Sequence, residues 1–298
     1  WLNLFIQTCN RNKSMIEDLN AISKHLEKIK NNFEEISASI NEFISTVVPK
    51  TTLIELLKSE DWPVAVIPEL ICTTEDHKIE RAKGILASIN EDFEKNKFLD
   101  FGCEEGHIVK IQRENGYKAF GYDIISHKNW DENFTNDFET LKSNGLYDII
   151  MAYDVLDHAE NETPQELLLK LKSILSNTGK IYLRLHPNCS RHATHVYRTI
   201  NKAFVHLVFT DKELIEIYPD LKPIKNIGIN RPIATYKKWF FDAGLEIFSQ
   251  TDHTEPVEKF FKTGEVAKKI MKNTGFDTFP EFQCGIQFID FILIKNTQ

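Results

Sequence analysis

Residues 98–106 read Phe98-Leu99-Asp100-Phe101-Gly102-Cys103-Glu104-Glu105-Gly106, an apolar run closed by an acid and followed by a turn bracketed by two glycines. Glycine tolerates φ > 0 and lets a ligand approach the backbone, while the helix that follows presents unpaired N–H groups and a positive dipole end at the same place. A strand-to-helix turn of this make-up predicts a site for a ligand that contains a nucleoside. A dinucleotide site asks for G-x-G-x-x-G; here Glu104 holds the middle position, and no third glycine follows where that pattern needs it. Taken alone, the stretch also fits an ordinary turn of an α/β protein.

Working outward, Lys110 to Gly116 completes a helix ended by glycine, and Lys118 to Asp123 reads as a second strand whose last residue is an acid. An acid at that strand end accepts both hydroxyls of a ribose, in dinucleotide folds as elsewhere. A short third strand leads to Asn136-Asp137-Phe138, where Asp137 also fits as a helix N-cap. Tyr147 to His158 supplies a fourth strand and its loop, and Thr163 to Ser176 carries Leu167, Leu168, Leu171, Ile174 and Leu175 at helical spacing. Asn177 to Lys180 then turns into a fifth strand, Ile181 to Leu185. Strands alternating with helices predict an α/β fold, a parallel sheet wound on both faces with ligands outside the carboxyl ends of its strands. Gly102, Asp123, Asp137, Asp154 and His186 all fall at such ends.

The stretch D-x-G-C-x-x-G at Asp100 to Gly106 resembles motif I of the class I S-adenosylmethionine (SAM)-dependent methyltransferases, with Glu104 where members often carry glycine. Tyr147 to His158 is similar to the family's aspartate, apolar strand and V-L-E-H phrase, with Asp157 in the glutamate position. Leu175 to Ile181 is similar to its L-x-x-G-G-x-hydrophobic phrase, with Thr178 in place of one glycine. The resemblance covers residues 75–185 and extends more weakly to the C-terminus. It implies a doubly wound, Rossmann-like seven-stranded sheet closed by an antiparallel hairpin, for which Leu245 to Gln250 and Gln283 to Ile294 alternate suitably. It implies SAM as cofactor, contacted by Asp100, Gly102, Cys103, Gly106, Asp123, Asp137, Phe138 and Tyr153, with Asp123 on the ribose and Asp137 and Phe138 at the adenine. It implies in-line methyl transfer to an unidentified acceptor, for which His186, His158 and Asp154 are the candidate bases, in that order. There is no D-P-P-Y, N-P-P-Y or Pro-Cys, so the chain does not resemble the amino-methylating or cytosine-C5 DNA methyltransferases.

After the fifth strand, His186-Pro187-Asn188-Cys189-Ser190-Arg191-His192-Ala193-Thr194-His195 concentrates histidine and arginine, followed by Arg198. Cys189, His192 and His195 with His186 have the residue types of a zinc site; Arg191 and Arg198 suit an anion; a solvated helix from His195 is the plain alternative. The position beside the acceptor favours a substrate pocket formed by Arg191, His192, His195 and Arg198, without a metal. Ser190 to Thr210 also resembles a segment of methyltransferase-like phage proteins.

Met15, Leu19, Ile22, Leu26, Ile29, Phe33, Ile36, Ile40, Phe43 and Val47 alternate in steps of four and three. Such a sustained period of 3.5 predicts a long N-terminal α-helix in a left-handed coiled coil, and leucine at a with isoleucine at d favours trimers or tetramers. The expected organisation is a helical segment over 1–48, an extended linker over 49–73 punctuated by Pro63 and Pro68, and a catalytic domain over 74–298 with an insertion at 255–280. Thr73 or Thr74 is expected to cap a helix running from Glu75 toward Glu94, and Thr263 to Lys272 to be helical.

A net charge of −8 disfavours broad wrapping of nucleic acid. No run of 18 apolar residues predicts a membrane span. Five scattered cysteines read as reduced thiols, which suggests a cytoplasmic location, virion-associated if the origin is viral. Trp1 in place of methionine suggests a chain that begins inside a longer product or after processing. An assembly or virion-associated protein that keeps the fold without turnover is the alternative function.

Overall fold

Phe98, Leu99 and Phe101 are at most 3 % exposed, and the strand they form, β1 (Phe98–Phe101), is an interior strand of a seven-stranded sheet. The computed structural model describes residues 22–24, 26–30, 50–66, 74–158, 163–193, 195–219, 231–255 and 285–296. The chain divides into two units, 1–53 and 54–298.

In chain order the elements are α1 (Lys50–Lys58), α2 (Glu75–Ser88), β1, α3 (His107–Glu114), β2 (Ala119–Tyr122), β3 (Phe134–Thr135), α4 (Phe138–Ser143), β4 (Tyr147–Tyr153), α5 (Pro164–Ile174) and β5 (Leu175–Leu185). They continue as α6 (Val205–Val208), α7 (Asp211–Ile217), α8 (Ile233–Asp242), β6 (Leu245–Thr254) and β7 (Ile286–Lys295). The strand order is β3-β2-β1-β4-β5-β7-β6. The first five strands are parallel, and β7 runs antiparallel to both β5 and β6.

Helical crossovers between parallel strands place helices on both faces of the sheet. On one face Ala82 of α2 and Ile108 and Val109 of α3 pack on Phe98, Ala119, Ile149, Met151 and Tyr182. On the other, Leu168 and Leu171 of α5 and Tyr236 and Phe240 of α8 pack on Leu99, Ile150, Leu183, Phe291 and Leu293. Helix α5 begins with a reciprocal capping box between Thr163 and Glu166, and Pro164 fills its first turn, where no N–H is needed.

Three expectations change. The fifth strand begins at Leu175, without a preceding turn: Leu175 pairs with Tyr147, and an irregularity between Tyr147 and Ile149 absorbs the extra residues before Lys180. Helix α2 is capped by Thr74, whose hydroxyl accepts from His77 N, but stops at Ser88, short of Glu94. Ile89 adopts an extended backbone there and is 4 % exposed, so burial of its side chain overrides continuation of the helix. The segment 49–73 is not an extended linker up to Val66, because α1 is helical and Trp62 is 1 % exposed. The Trp62 indole N–H donates to the Ala203 carbonyl at 2.8 Å, Ala203 N donates to Pro63 O, and Asn201 bonds both backbone groups of Val66. Residues 59–66 therefore form a strap anchored to 201–203.

Of the heptad seam, Ile22, Leu26 and Ile29 lie on helical residues and are 56 %, 61 % and 58 % exposed; its other members, from Met15 to Val47, lie outside the described residues. So does the insertion beyond Glu255, with the helix expected over Thr263 to Lys272. Among the described residues no helix is long and apolar enough to cross a membrane.

Candidate active site

The turn after β1 is clamped onto β2. Gly102 N and Cys103 N both donate to the Tyr122 carbonyl, at 2.7 and 3.1 Å. Gly102 has φ +89°, and a Cβ there would lie 2.5 Å from Val155 Cγ2, so only glycine fits. Glu104 takes φ +45° although it is not glycine. Its N–H donates to Asp123 Oδ2 at 3.0 Å, and its carbonyl accepts from Trp130 Nε1 at 2.9 Å. Two hydrogen bonds thus hold a conformation that costs an L-residue ~1–2 kcal/mol. Asp123 Oδ1 accepts from Ile125 N, so the acid expected at the ribose also builds the turn facing it. Gly106 opens α3 with no side-chain cap, which leaves the first N–H groups of the helix open to a ligand.

Asp100 is 4 % exposed at the end of β1. Burial, and then the charges of Asp123 and Glu104, push its pKa up to about 8. Burial also raises the neighbouring Cys103 thiol, which makes it a packing residue and not a nucleophile. Helix α2 is fixed along the cleft by Glu75 to His107 at 2.6 Å, Lys78 to Glu105 at 2.6 Å and Arg81 to Asp154 at 3.3 Å.

Asp137 is the N-cap of α4: its carboxylate accepts from Glu139 N, Thr140 N and the Thr140 hydroxyl, the capping role weighed from sequence. The Phe138 ring packs edge-on to Tyr122 at 6.1 Å, with Lys170 Nζ 5.0 Å above it. Tyr153 carries the Arg184 guanidinium 4.4 Å over its ring. Ile124 and Ile125, not singled out from sequence, are each 62 % exposed directly after Asp123. An acid followed by two apolar side chains at a strand end was the available signal for this exposed apolar surface.

At the ends of β4 and β5, Asp154 also has a left-handed backbone, φ +57°, and its N–H donates to the Arg184 carbonyl. His186 Nε2 stands 3.2 Å from Asp154 Oδ1, an ion contact not aligned as a hydrogen bond. His186 Nδ1 lies 3.0 Å from the Gln287 carbonyl and, as donor to it, leaves Nε2 to Asp154. Burial alone lowers the His186 pKa; Asp154, then Asp157 and the Gln287 carbonyl, outweigh it and raise it. Burial likewise opposes ionisation of Asp154, and His186, Arg81 and Arg184 reverse this and hold it well below the usual carboxylate range. His158 lies in the 3₁₀ turn Leu156–His158 next to this pair.

Arg191 is 8 % exposed and pairs with Glu255, Nη1 to Oε2 at 3.0 Å and Nη2 to Oε1 at 3.3 Å. Its guanidinium ties the loop after β5 to the end of β6, in contrast to the anion grip expected from sequence. The His192 ring meets His186 edge-on at 4.7 Å. The side chains of His195 and Arg198 lie outside the described residues. Among the described residues the only group of ligand atoms within 4.8 Å of one another is Glu75, Glu105 and His107, where the Lys78 ammonium already contacts Glu105.

A sequence model described as a methyltransferase domain matches residues 74–250, more than half of the chain. The protein is thus a methyltransferase by class, and the chain belongs to the methyltransferase-domain family. No match to a curated protein sequence was found. Similar solved structures include a SAM-dependent methyltransferase from Archaeoglobus fulgidus, 18 % identical with TM-score 0.45, covering 74 % of this chain and 95 % of that one. Magnesium protoporphyrin IX methyltransferase from Synechocystis is 14 % identical with TM-score 0.44, covering 75 % and 88 %. The methyltransferase complexed with the Trm112 activator in Haloferax volcanii is 16 % identical with TM-score 0.44, covering 74 % and 91 %. Family membership rests on the sequence match and not on these partial superpositions.

The geometry at Glu104 yields a stability test. Its side chain is exposed and makes no hydrogen bond or ion pair among the described residues, so Glu104→Gly removes the left-handed penalty of ~1–2 kcal/mol against an unfolded-state entropy cost of ~0.4–1 kcal/mol. Urea unfolding should find the variant as stable as the parent or more stable by up to about 1.6 kcal/mol. A loss of that size would mean that the glutamate side chain supports the turn.

Proposed function

We propose that the protein transfers the methyl group of SAM, held across the ends of β1, β2 and β4, to an acceptor beside His186. The observation that carries this is the pair of carboxylates on adjacent strand ends, Asp100 buried under the turn and Asp123 tied into it through Glu104 N. Asp123 receives the ribose, Ile124 and Ile125 cover the base, and Asp100 faces the cationic end of the donor. Gly102, Cys103 and Gly106 give the backbone its close approach. Asp137 and Phe138, whose side chains serve the cap and the core, meet the adenine through backbone groups, and Tyr153 walls the methionine end.

SAM supplies a methyl carbon already activated on a sulfonium, so the protein chiefly has to place a nucleophile in line with it, an effect worth ~7–11 kcal/mol. His186 is the base. Its Nδ1 hydrogen bond to Gln287 fixes the ring, and Nε2 accepts the acceptor's proton once it has released its own. Asp154 orients His186 and holds its charge, and His158 borders the same space. His192, His195 and Arg198 form the acceptor wall, which Arg191 braces through Glu255.

The full chain self-associates through residues 15–47 as a trimer or tetramer, which the exposure of Ile22, Leu26 and Ile29 supports. Cys103 and Cys189, both buried and outside any disulfide among the described residues, support a reducing compartment such as the cytoplasm.

Titration calorimetry of the full chain should show SAM and its demethylated product S-adenosylhomocysteine binding, and NAD not binding. NAD binding without either sulfur nucleoside would overturn the proposal. Sedimentation of the intact chain should give a trimer or tetramer; a monomer would contradict the heptad assignment.

A further inference from the structure

The charges around the acceptor end are unevenly matched. Arg184 lies bidentate on Asp290, at 2.7 and 2.8 Å. Arg191 lies on Glu255, and Arg81 on Asp154. Each of these arginines therefore has a carboxylate, which leaves none of the three to receive an anionic substrate.

Asp157 is the opposite case. It stands in the 3₁₀ turn three residues after Asp154, is 2 % exposed, and among the described residues neither of its carboxylate oxygens has a hydrogen-bond partner beyond its own backbone N–H. A carboxylate closed off from water without donors is costly, and buried polar groups normally find partners. It lies within electrostatic reach of Asp154, His158 and His186, and of the buried Tyr236. Burial, followed by the Asp154 charge, pushes its pKa up to about 6. Among the described residues, two more buried oxygens without partners belong to the segments that hold His186: Ser190 Oγ, in the loop that His186 begins, and Gln287 Oε1, on the residue whose carbonyl accepts from His186 Nδ1. Carboxylate and amide oxygens only accept hydrogen bonds. What the Asp157 carboxylate lacks is therefore a donor, and with the Asp154 charge close by a cationic one suits it.

We propose that the methyl acceptor is an aliphatic amine, received at Asp157 in its ammonium form. This deepens the reading of the His186 end as the acceptor side and rests on it. The ammonium gives one proton to the base and becomes a neutral amine. Its lone pair then forms the new C–N bond as the S–C bond breaks, with that electron pair passing to sulfur. The sulfonium charge reappears on the methylated nitrogen, which Asp157 stabilises as it forms. A carboxylate or phosphate acceptor would instead meet two like charges, Asp154 and Asp157.

The test uses the full chain saturated with S-adenosylhomocysteine and two probes of equal length, pentylamine and pentanoate, titrated by calorimetry at pH 7.5. Pentylamine should bind at least tenfold more tightly than pentanoate, and Asp157→Asn should abolish that preference. Removing an unpaired buried charge is expected to leave the fold intact, which a thermal melt checks; the wild-type comparison decides even if the variant does not fold. Equal or tighter binding of pentanoate, or a preference that survives in folded Asp157→Asn, would overturn the proposal. Failure of S-adenosylhomocysteine to bind would instead overturn the donor-site reading, and the acceptor class with it. With labelled SAM, methylation of spermidine would mark a free amine as the source of this chemistry, and methylation of a blocked lysine peptide would mark a side chain; either supports the proposal, and transfer to neither while a carboxylate is methylated contradicts it.

Discussion

A carboxylate buried at the end of the first strand, Asp100, is the constraint on which the donor end depends. The parallel strands β2 and β4 flank β1, so their carboxyl ends converge on the same edge, and the acid there is shielded from water on both sides. It lies near Asp123, whose two oxygens are already occupied by the N–H groups of Glu104 and Ile125. A third acid, Glu104, lies on the turn itself. Such crowding disfavours ionisation of Asp100 in the absence of a positive partner. The clamp of Gly102 and Cys103 on Tyr122, and the left-handed backbone of Glu104, keep the turn open over that acid and do not let it collapse onto it.

The ends of β4 and β5 repeat the theme in different elements. Asp154 joins α2 through Arg81, β5 through the Arg184 carbonyl and His186, and β7 indirectly through the His186 contact with Gln287. Among the described residues, non-glycine positive φ occurs at Glu104, Asp154 and Phe204. The first two lie in the cleft, and Phe204 is fully buried in the segment that Arg191 and Trp62 anchor. Strain of this kind persists where surrounding contacts over-determine the backbone, and it concentrates at sites. Arg81 bridges α2, which borders the donor cleft, to the acid that orients His186, so the two ends share one charged link.

Much of this was legible in the sequence because it is local. The acid-turn-glycine stretch, the helical spacing of Leu167, Leu168 and Leu171 and the alternation of β6 and β7 are each determined within a few residues, and the observed strand order closes the sheet with the expected antiparallel hairpin. What was not legible depends on distant partners. Arg191 reads as an anion ligand until Glu255, 64 residues away, neutralises it. Trp62 reads as part of an extended connector until its indole finds Ala203, 141 residues on. Asp157 reads as a conservative stand-in for glutamate, and only the packing around it shows that, among the described residues, its oxygens lack donors beyond its own backbone N–H. The early start of β5 was hidden because Asn177 and Thr178, turn-like in type, lie exposed on an irregular stretch of strand.

The central claim is that the Asp100 carboxyl is held protonated until a cationic donor arrives. Its pKa of about 8 lies far above the unfolded value, so at pH 7 the unliganded site carries the proton, and a bound cation favours its release. Calorimetry of SAM binding at pH 7 in buffers of different ionisation enthalpy measures this directly. The account predicts release of about one proton per SAM bound, with the release lost in Asp100→Asn. Binding with no change in protonation, or with proton uptake, would contradict it.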